Sequence, residues 1–162
     1  MSESEIKAAL TPVHTVALTL KHEAGTEGLV GLVAVGCTVR HRVNAQSWYG
    51  KDFKAVCLKP SQYSCWNPGT DKNHVRLMKA AELLVSDYNI RSTAKRDPLF
   101  EECVFLADGI MNGKLRDVVD GCLHYCTVEC YDNPKTRPAW AKKKQPHKQI
   151  GSHLFFKGVD LM

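Results

Sequence analysis

Val13, Val16, Ala17, Leu20 and Ala24 recur at three- and four-residue spacing, which predicts an amphipathic helix. Thr11 and Pro12 supply its start, a capping hydroxyl followed by a residue suited to the first turn. Glu23 falls at the edge of the apolar face, where partial burial goes with access to a cleft, while His22 is expected to point into solvent. Gly25 breaks the helix, and Thr26 is placed to cap a second one. There Leu29, Val30, Leu32, Val33, Val35, Val39 and Val43 cover most of the circumference, with Gly31, Ala34 and Gly36 as small faces. A helix apolar nearly all round is a core helix.

A third helix is predicted over about 73–88, burying Leu77, Met78, Ala81, Leu84 and Val85. A fourth opens at Pro98, with Phe100, Val104, Phe105 and residues 107–110 toward the core. Residues 56–66 read as irregular and aromatic-rich, turned by Asn67, Pro68 and Gly69. Residues 122–128 and 153–156 read as short strands, separated by a Pro-, Lys- and Trp-containing stretch. The expectation is an α+β fold, mostly helical, with a small late β-sheet. No internal repeat or linker interrupts the pattern, so residues 1–162 are expected to form one domain.

Composition fits that picture. The 162 residues are 44% hydrophobic, enough for a core. No apolar run approaches the roughly 20 residues of a membrane span. The acidic start, MSESEIKAALTP, lacks the basic and apolar regions of a secretory signal, so the chain is expected to be made in the cytoplasm. The formal net charge is +5. The basic run AKKKQPHK at 141–148 reads as a solvated loop or as an attractor of a polyanion, such as teichoic acid or an anionic envelope. No nucleic-acid motif accompanies it, and neither nucleic-acid binding nor membrane insertion is expected.

Glu23 and Glu27 flank the Gly-Thr break. A carboxylic acid partly desolvated beside a buried helix can hold a proton near neutral pH. General acid chemistry on a glycosidic oxygen needs such a group. Two solvated surface glutamates are the alternative. Seven cysteines in a chain without a signal argue for free thiols, with Cys37 and Cys103 as small core residues. Cys122, His124 and Cys126 share a face if they lie on one strand. Their spacing lacks the C-x-x-C pairs of a zinc site, and no metal or other cofactor is expected.

Four blocks in register resemble the SleB-type cell wall hydrolases, the catalytic domain of spore-cortex-lytic enzymes, with relatives among phage endolysins. The first is Glu23-Ala24, Glu27, Gly31, Val33-Ala34-Val35 and Arg42-Val43, with His41 where the family has Asn. The second is Gln62-Tyr63-Ser64 and then Trp66. The third runs from Asp117 to Thr127 through Gly121, Leu123, His124 and Tyr125; Thr127 replaces an Asn and His124 an aromatic. The last is Trp140, Ile150-Gly151, His153, Phe155 and Phe156. The resemblance spans about residues 16–157.

What the resemblance implies is a lysozyme-like domain that cuts the glycan strand of peptidoglycan, with Glu23 as the essential acid. It implies a lytic transglycosylase giving 1,6-anhydro-muramoyl ends. Gln62, Ser64, His124 and Tyr125 would bind the sugar or its N-acetyl group, and Trp66 and Trp140 could stack on sugar faces. Glu27 is either a second active-site carboxylate or a partner of the helix-start loop; His153 reads as a structural hydrogen-bond donor. The role expected is a monomeric phage endolysin released to the wall through a holin-type pore. A hydrolytic muramidase, an amidase using the Cys122/His124/Cys126 cluster, and a non-catalytic wall-binding or virion module are the alternatives.

Overall fold

The structure is a computed structural model that describes residues 1–69, 71–86 and 97–159. Helices α1 (Glu3–Ala9), α2 (Pro12–Ala24), α3 (Gly28–Ala45), α4 (Phe53–Leu58), α5 (Lys72–Val85) and α6 (Pro98–Met111) precede a small sheet. Strand β1 (His124–Thr127) leads into a short helix, α7 (Val128–Asp132); β2 (Lys148–Ile150) and β3 (His153–Phe156) follow. The sheet is antiparallel in the order β1-β3-β2. This is the mostly helical α+β fold with a late sheet that the pattern predicts.

Helix α2 starts as its residues dictate. The Thr11 hydroxyl accepts from the His14 N–H at 3.1 Å, and Pro12 fills the first turn. Its core face is broader than the expected stripe: Val16, Ala17, Leu18, Leu20 and Ala24 are all buried, and so are Thr15 and Thr19. Each of these hydroxyls donates to the carbonyl one turn back, Thr11 and Thr15 respectively, which makes a polar residue tolerable in the interior. Helix α6 covers α2 and α3. At the α3 crossing, a Cβ on Gly36 would lie 2.8 Å from Ile110 Cγ1, so the absent side chain is what lets the helices approach.

Several expectations are corrected. Thr26 does not cap α3; Glu27 occupies the N-cap position, with no side-chain capping bond. Leu29 and Val30 are about half exposed, because nothing described covers the first turn of α3. Phe105 is 77% exposed: α6 buries the stripe Cys103, Leu106, Ala107 and Ile110, and Phe105 lies opposite it. Leu84 and Val85 are only half-buried, and the predicted end of the third helix, at 87–88, lies outside the described residues. Helices α1, α4 and α7 and strand β2 lie outside the predicted elements, each too short to show a periodic pattern, and the predicted strand 122–128 is shorter, His124–Thr127, with Val128 starting α7. Among the described residues no helix is long and apolar enough to cross a membrane.

Candidate active site

Glu23 sits in the last turn of α2, half-buried. Two elements hold its carboxylate. From the 3-10 turn Ser64–Trp66, the Cys65 N–H donates to Oε2 at 3.3 Å and the Ser64 hydroxyl donates to the same oxygen at 3.5 Å. From β1, the Tyr125 hydroxyl donates to Oε1 in a short hydrogen bond. Burial, and then the charge of Glu23, push the Tyr125 phenol well above its ordinary range, so Tyr125 stays a donor.

The period of two along β1 explains the geometry. Tyr125 faces the helices, opposite Phe155 in the register and edge-on to the His153 ring at 5.0 Å. His124 and Cys126 face the other way. The His124 ring lies between Tyr49 and Trp140, at 5.8 and 5.0 Å, and burial lowers its pKa from 6.5 to about 4. Cys126 packs with Ala141, Leu154 and Phe156, whereas Cys122 packs with Ala34, Cys37 and Ile110. The shared face expected for Cys122, His124 and Cys126 is therefore absent. Among the described residues no group of three His, Cys, Asp or Glu side chains is placed to hold a metal ion.

A cleft of about 420 Å³ opens beside Glu23. Its lining includes Gln62, Ser64, Tyr125 and His153, together with His22, Asn73, Thr127 and Cys130. The structure thus brings together Glu23, Gln62, Ser64 and Tyr125. It does not bring in Trp66, Trp140 or His124. Trp66 is 2% exposed and donates its indole N–H to Thr19 Oγ1 at 2.9 Å, so no ring face is open to a sugar. Trp140 packs on His124 and Phe156.

Gln62 is committed to the fold. Its amide donates to the carbonyls of Tyr49 and Val56, each at 2.8 Å, and its Oε1 accepts from Arg42. Arg42 is buried, donates through Nε to the Leu123 carbonyl at 2.8 Å, and lies over the Tyr49 and Tyr63 rings. It fixes the start of β1 two residues before Tyr125. An arginine inside an apolar helix pattern was the signal that could have revealed this buried hub.

Glu27 turns away to the β2–β3 turn. Its Oε1 accepts from the Ser152 N–H at 3.1 Å and from the Ser152 hydroxyl in a short hydrogen bond, and lies 3.9 Å from His153 Nδ1. Gly151, at φ +58°, makes that turn possible, since a Cβ there would meet the Glu27 carboxylate at 3.1 Å. Burial lowers the His153 pKa, against the raising charges of Glu27 and Glu23. His41, where the resembling family has Asn, sits 3.0 Å from Asp117. Burial alone would raise the Asp117 carboxyl, but the Val119 N–H, His41 and the Gly121 N–H hold it below the usual range.

His22, expected in solvent, is half-buried at the rim. Asn73 Nδ2 donates to the His22 carbonyl at 2.9 Å, which leaves Asn73 Oδ1 to accept from His22 Nδ1 at 2.9 Å. That exchange fixes the ring as the Nδ1–H tautomer. No local pattern singles out Asn73, whose role exists only once α5 packs on α2.

A carboxyl group held from two sides over a cleft, in a helical domain closed by a small sheet, is an arrangement suited to general acid–base chemistry on a bound polymer. The profile of the cell wall hydrolase family matches residues 26–156, and the chain belongs to that family, the SleB type its four blocks resemble. It is a hydrolase of the cell wall that degrades peptidoglycan. The match begins just after Glu23 and spans Glu27, Gln62, Ser64 and Tyr125. No curated protein and no solved structure matched the chain.

Proposed function

We propose that the chain cleaves the bond between N-acetylmuramic acid and N-acetylglucosamine as a lytic transglycosylase, with Glu23 as its acid and base. The observation that carries the reading is that Glu23 is the one carboxylate among the described residues lining the cleft. Ordinary retaining and inverting glycosidases need two, about 5–5.5 Å or 6.5–9.5 Å apart. The candidate for a second, Glu27, is engaged by Ser152.

In the proposed reaction the protonated Glu23 donates to the bridging oxygen, and the muramoyl C1–O bond breaks. The N-acetylglucosamine leaves with that proton as its hydroxyl. The N-acetyl carbonyl of the muramoyl residue stabilises the cationic C1. The Glu23 carboxylate then takes the proton of the muramoyl 6-hydroxyl as its oxygen bonds to C1. Glu23 regains its proton, no water is consumed, and the product is a 1,6-anhydro sugar. Tyr125, Ser64 and the Cys65 N–H aim the carboxyl group, and so act as positioning groups rather than sugar ligands. The domain would act at the wall without a cofactor, and its basic character suits an endolysin of a phage or prophage.

Muropeptide mass spectrometry of purified peptidoglycan digested by the wild type and by Glu23→Gln tests the assignment. Anhydro-muramoyl ends that vanish with Glu23→Gln are expected. Cleaved stem peptides, or activity that survives Glu23→Gln, would refute it.

A further inference from the structure

Positive charge is concentrated in one stretch. Residues 133–159 hold seven of the chain's 22 Lys and Arg and none of its 17 Asp and Glu. Without that stretch the chain would carry a slight excess of acid. Three of these lysines meet at one place on the sheet: Lys148 and Lys157 both act on the Asp120 carboxylate, and Lys144 reaches the Gly158 carbonyl. Lys148 lies on β2, an edge strand, opposite Phe155. Lys144 donates to the Gly158 carbonyl and so pins the basic loop beside the end of β3, where Lys157 follows. Lys142, Lys143, Lys148 and Lys157 are exposed.

Among the described residues, the acid that answers them there is Asp120. It accepts from His147 Nε2 at 3.1 Å and lies 4.0 Å from Lys148 Nζ. The His147 hydrogen bond, and then the Lys148 charge, hold its carboxyl below the usual range. Among the described residues, this one carboxylate does not neutralise Lys148, Lys157 and the three lysines of the preceding loop. The charges are ammonium groups, strongly hydrated points without the planar fork of arginine. They suit diffuse attraction to a polymer with repeating negative groups rather than recognition of one anion.

The same strand reaches both places: His153, at the start of β3, lines the cleft, and Lys157 lies four residues on, about 13 Å at the usual strand rise. We infer that the cationic end of the sheet docks on the carboxylates of peptidoglycan stem peptides while the cleft holds the glycan. This rests on the wall being the substrate. Charge complementarity commits the surface to those carboxylates, because they recur along the polymer the family degrades.

The test is co-sedimentation with purified sacculi stripped of phosphate polymers, using full-length Glu23→Gln so that nothing is digested. It is compared with the same chain also carrying Lys142→Gln, Lys143→Gln, Lys148→Gln and Lys157→Gln, its fold checked by circular dichroism and thermal unfolding. At low salt the four changes should weaken binding on the order of tenfold. The difference should disappear at high salt, where charges are screened, and also on sacculi whose carboxylates have been amidated. Equal binding by both chains, a difference that survives amidation, or binding only when phosphate polymers are left in place would overturn the inference. Soluble muropeptides measured in the same supernatants report separately on the Glu23 mechanism: their release by Glu23→Gln would refute that mechanism, while the comparison of the two chains on the sedimented sacculi tests the inference.

Discussion

The Tyr125 hydroxyl donates its hydrogen bond to Glu23 across 102 positions of sequence. It joins the last turn of α2 to the first strand of the sheet, so the acid is aimed only when the helix and the sheet are both in place. Tyr125→Phe removes the donor and keeps the ring against His153 and Phe155. A hydrogen bond to a charged group contributes about 1.5–3 kcal/mol. If it acts on the transition state, kcat should fall roughly ten- to a hundredfold with KM little changed. Steady-state release of soluble muropeptides measures this; a rise in KM at constant kcat would make Tyr125 a sugar ligand instead.

Arg42 and Gln62 should register as stability, not as substrate affinity. Arg42→Met leaves the Leu123 carbonyl and Gln62 Oε1 without their donor in a buried setting. Each buried acceptor left unsatisfied costs about 1–3 kcal/mol. Urea unfolding should show a lower midpoint for Arg42→Met and, less severely, for Gln62→Ala. A Gln62→Ala chain of unchanged midpoint and raised KM would return Gln62 to the sugar.

Glu27 and Glu23 should separate cleanly. Glu27→Gln can still accept from Ser152 and should keep activity within a few-fold, whereas Glu27→Ala should loosen the β2–β3 turn and destabilise the fold by about 1–3 kcal/mol. Turbidity loss of permeabilised cells, together with thermal unfolding, distinguishes the two effects. Abolition of activity by Glu27→Gln in a stable chain would make Glu27 a second catalytic carboxylate.

His124 predicts an acid-side loss of stability. Its pKa is 6.5 ordinarily and about 4 in the fold, because burial disfavours the cation. Between those values the unfolded chain binds more protons. The contribution is therefore fully present above pH 6.5 and is lost as pH falls toward 4, to a total on the order of 3 kcal/mol. His22 and His153 shift in the same direction. Thermal unfolding against pH should give a shallower slope over this window for His124→Gln than for the wild type; parallel slopes would contradict the burial assigned to His124.

What the sequence made legible was what a local pattern can encode. The spacing of Val16, Leu20 and Ala24 located α2 and put Glu23 at its edge; Pro98 started α6, and residues 153–156 are the observed β3. The faces depended on partners. Phe105 fits an apolar helix by composition, yet α6 buries the opposite stripe. Alternation along β1 puts His124 and Tyr125 on opposite faces, but only the packing of the sheet on α2 decides which of them meets Glu23. Trp66 and Trp140 lie in family blocks, yet the fold spends both on packing. The cleft wall formed by His22 and Asn73 needed α5 beside α2, a pairing of residues 51 positions apart.

The most direct measurement is digestion of purified peptidoglycan in oxygen-18-labelled water, with the new muramoyl ends read by mass spectrometry. If Glu23 alone serves as acid and base, the ends carry no label and are one water lighter than reducing sugars. Muramoyl ends that carry one labelled oxygen would mean that water attacks C1, and would contradict a lytic transglycosylase.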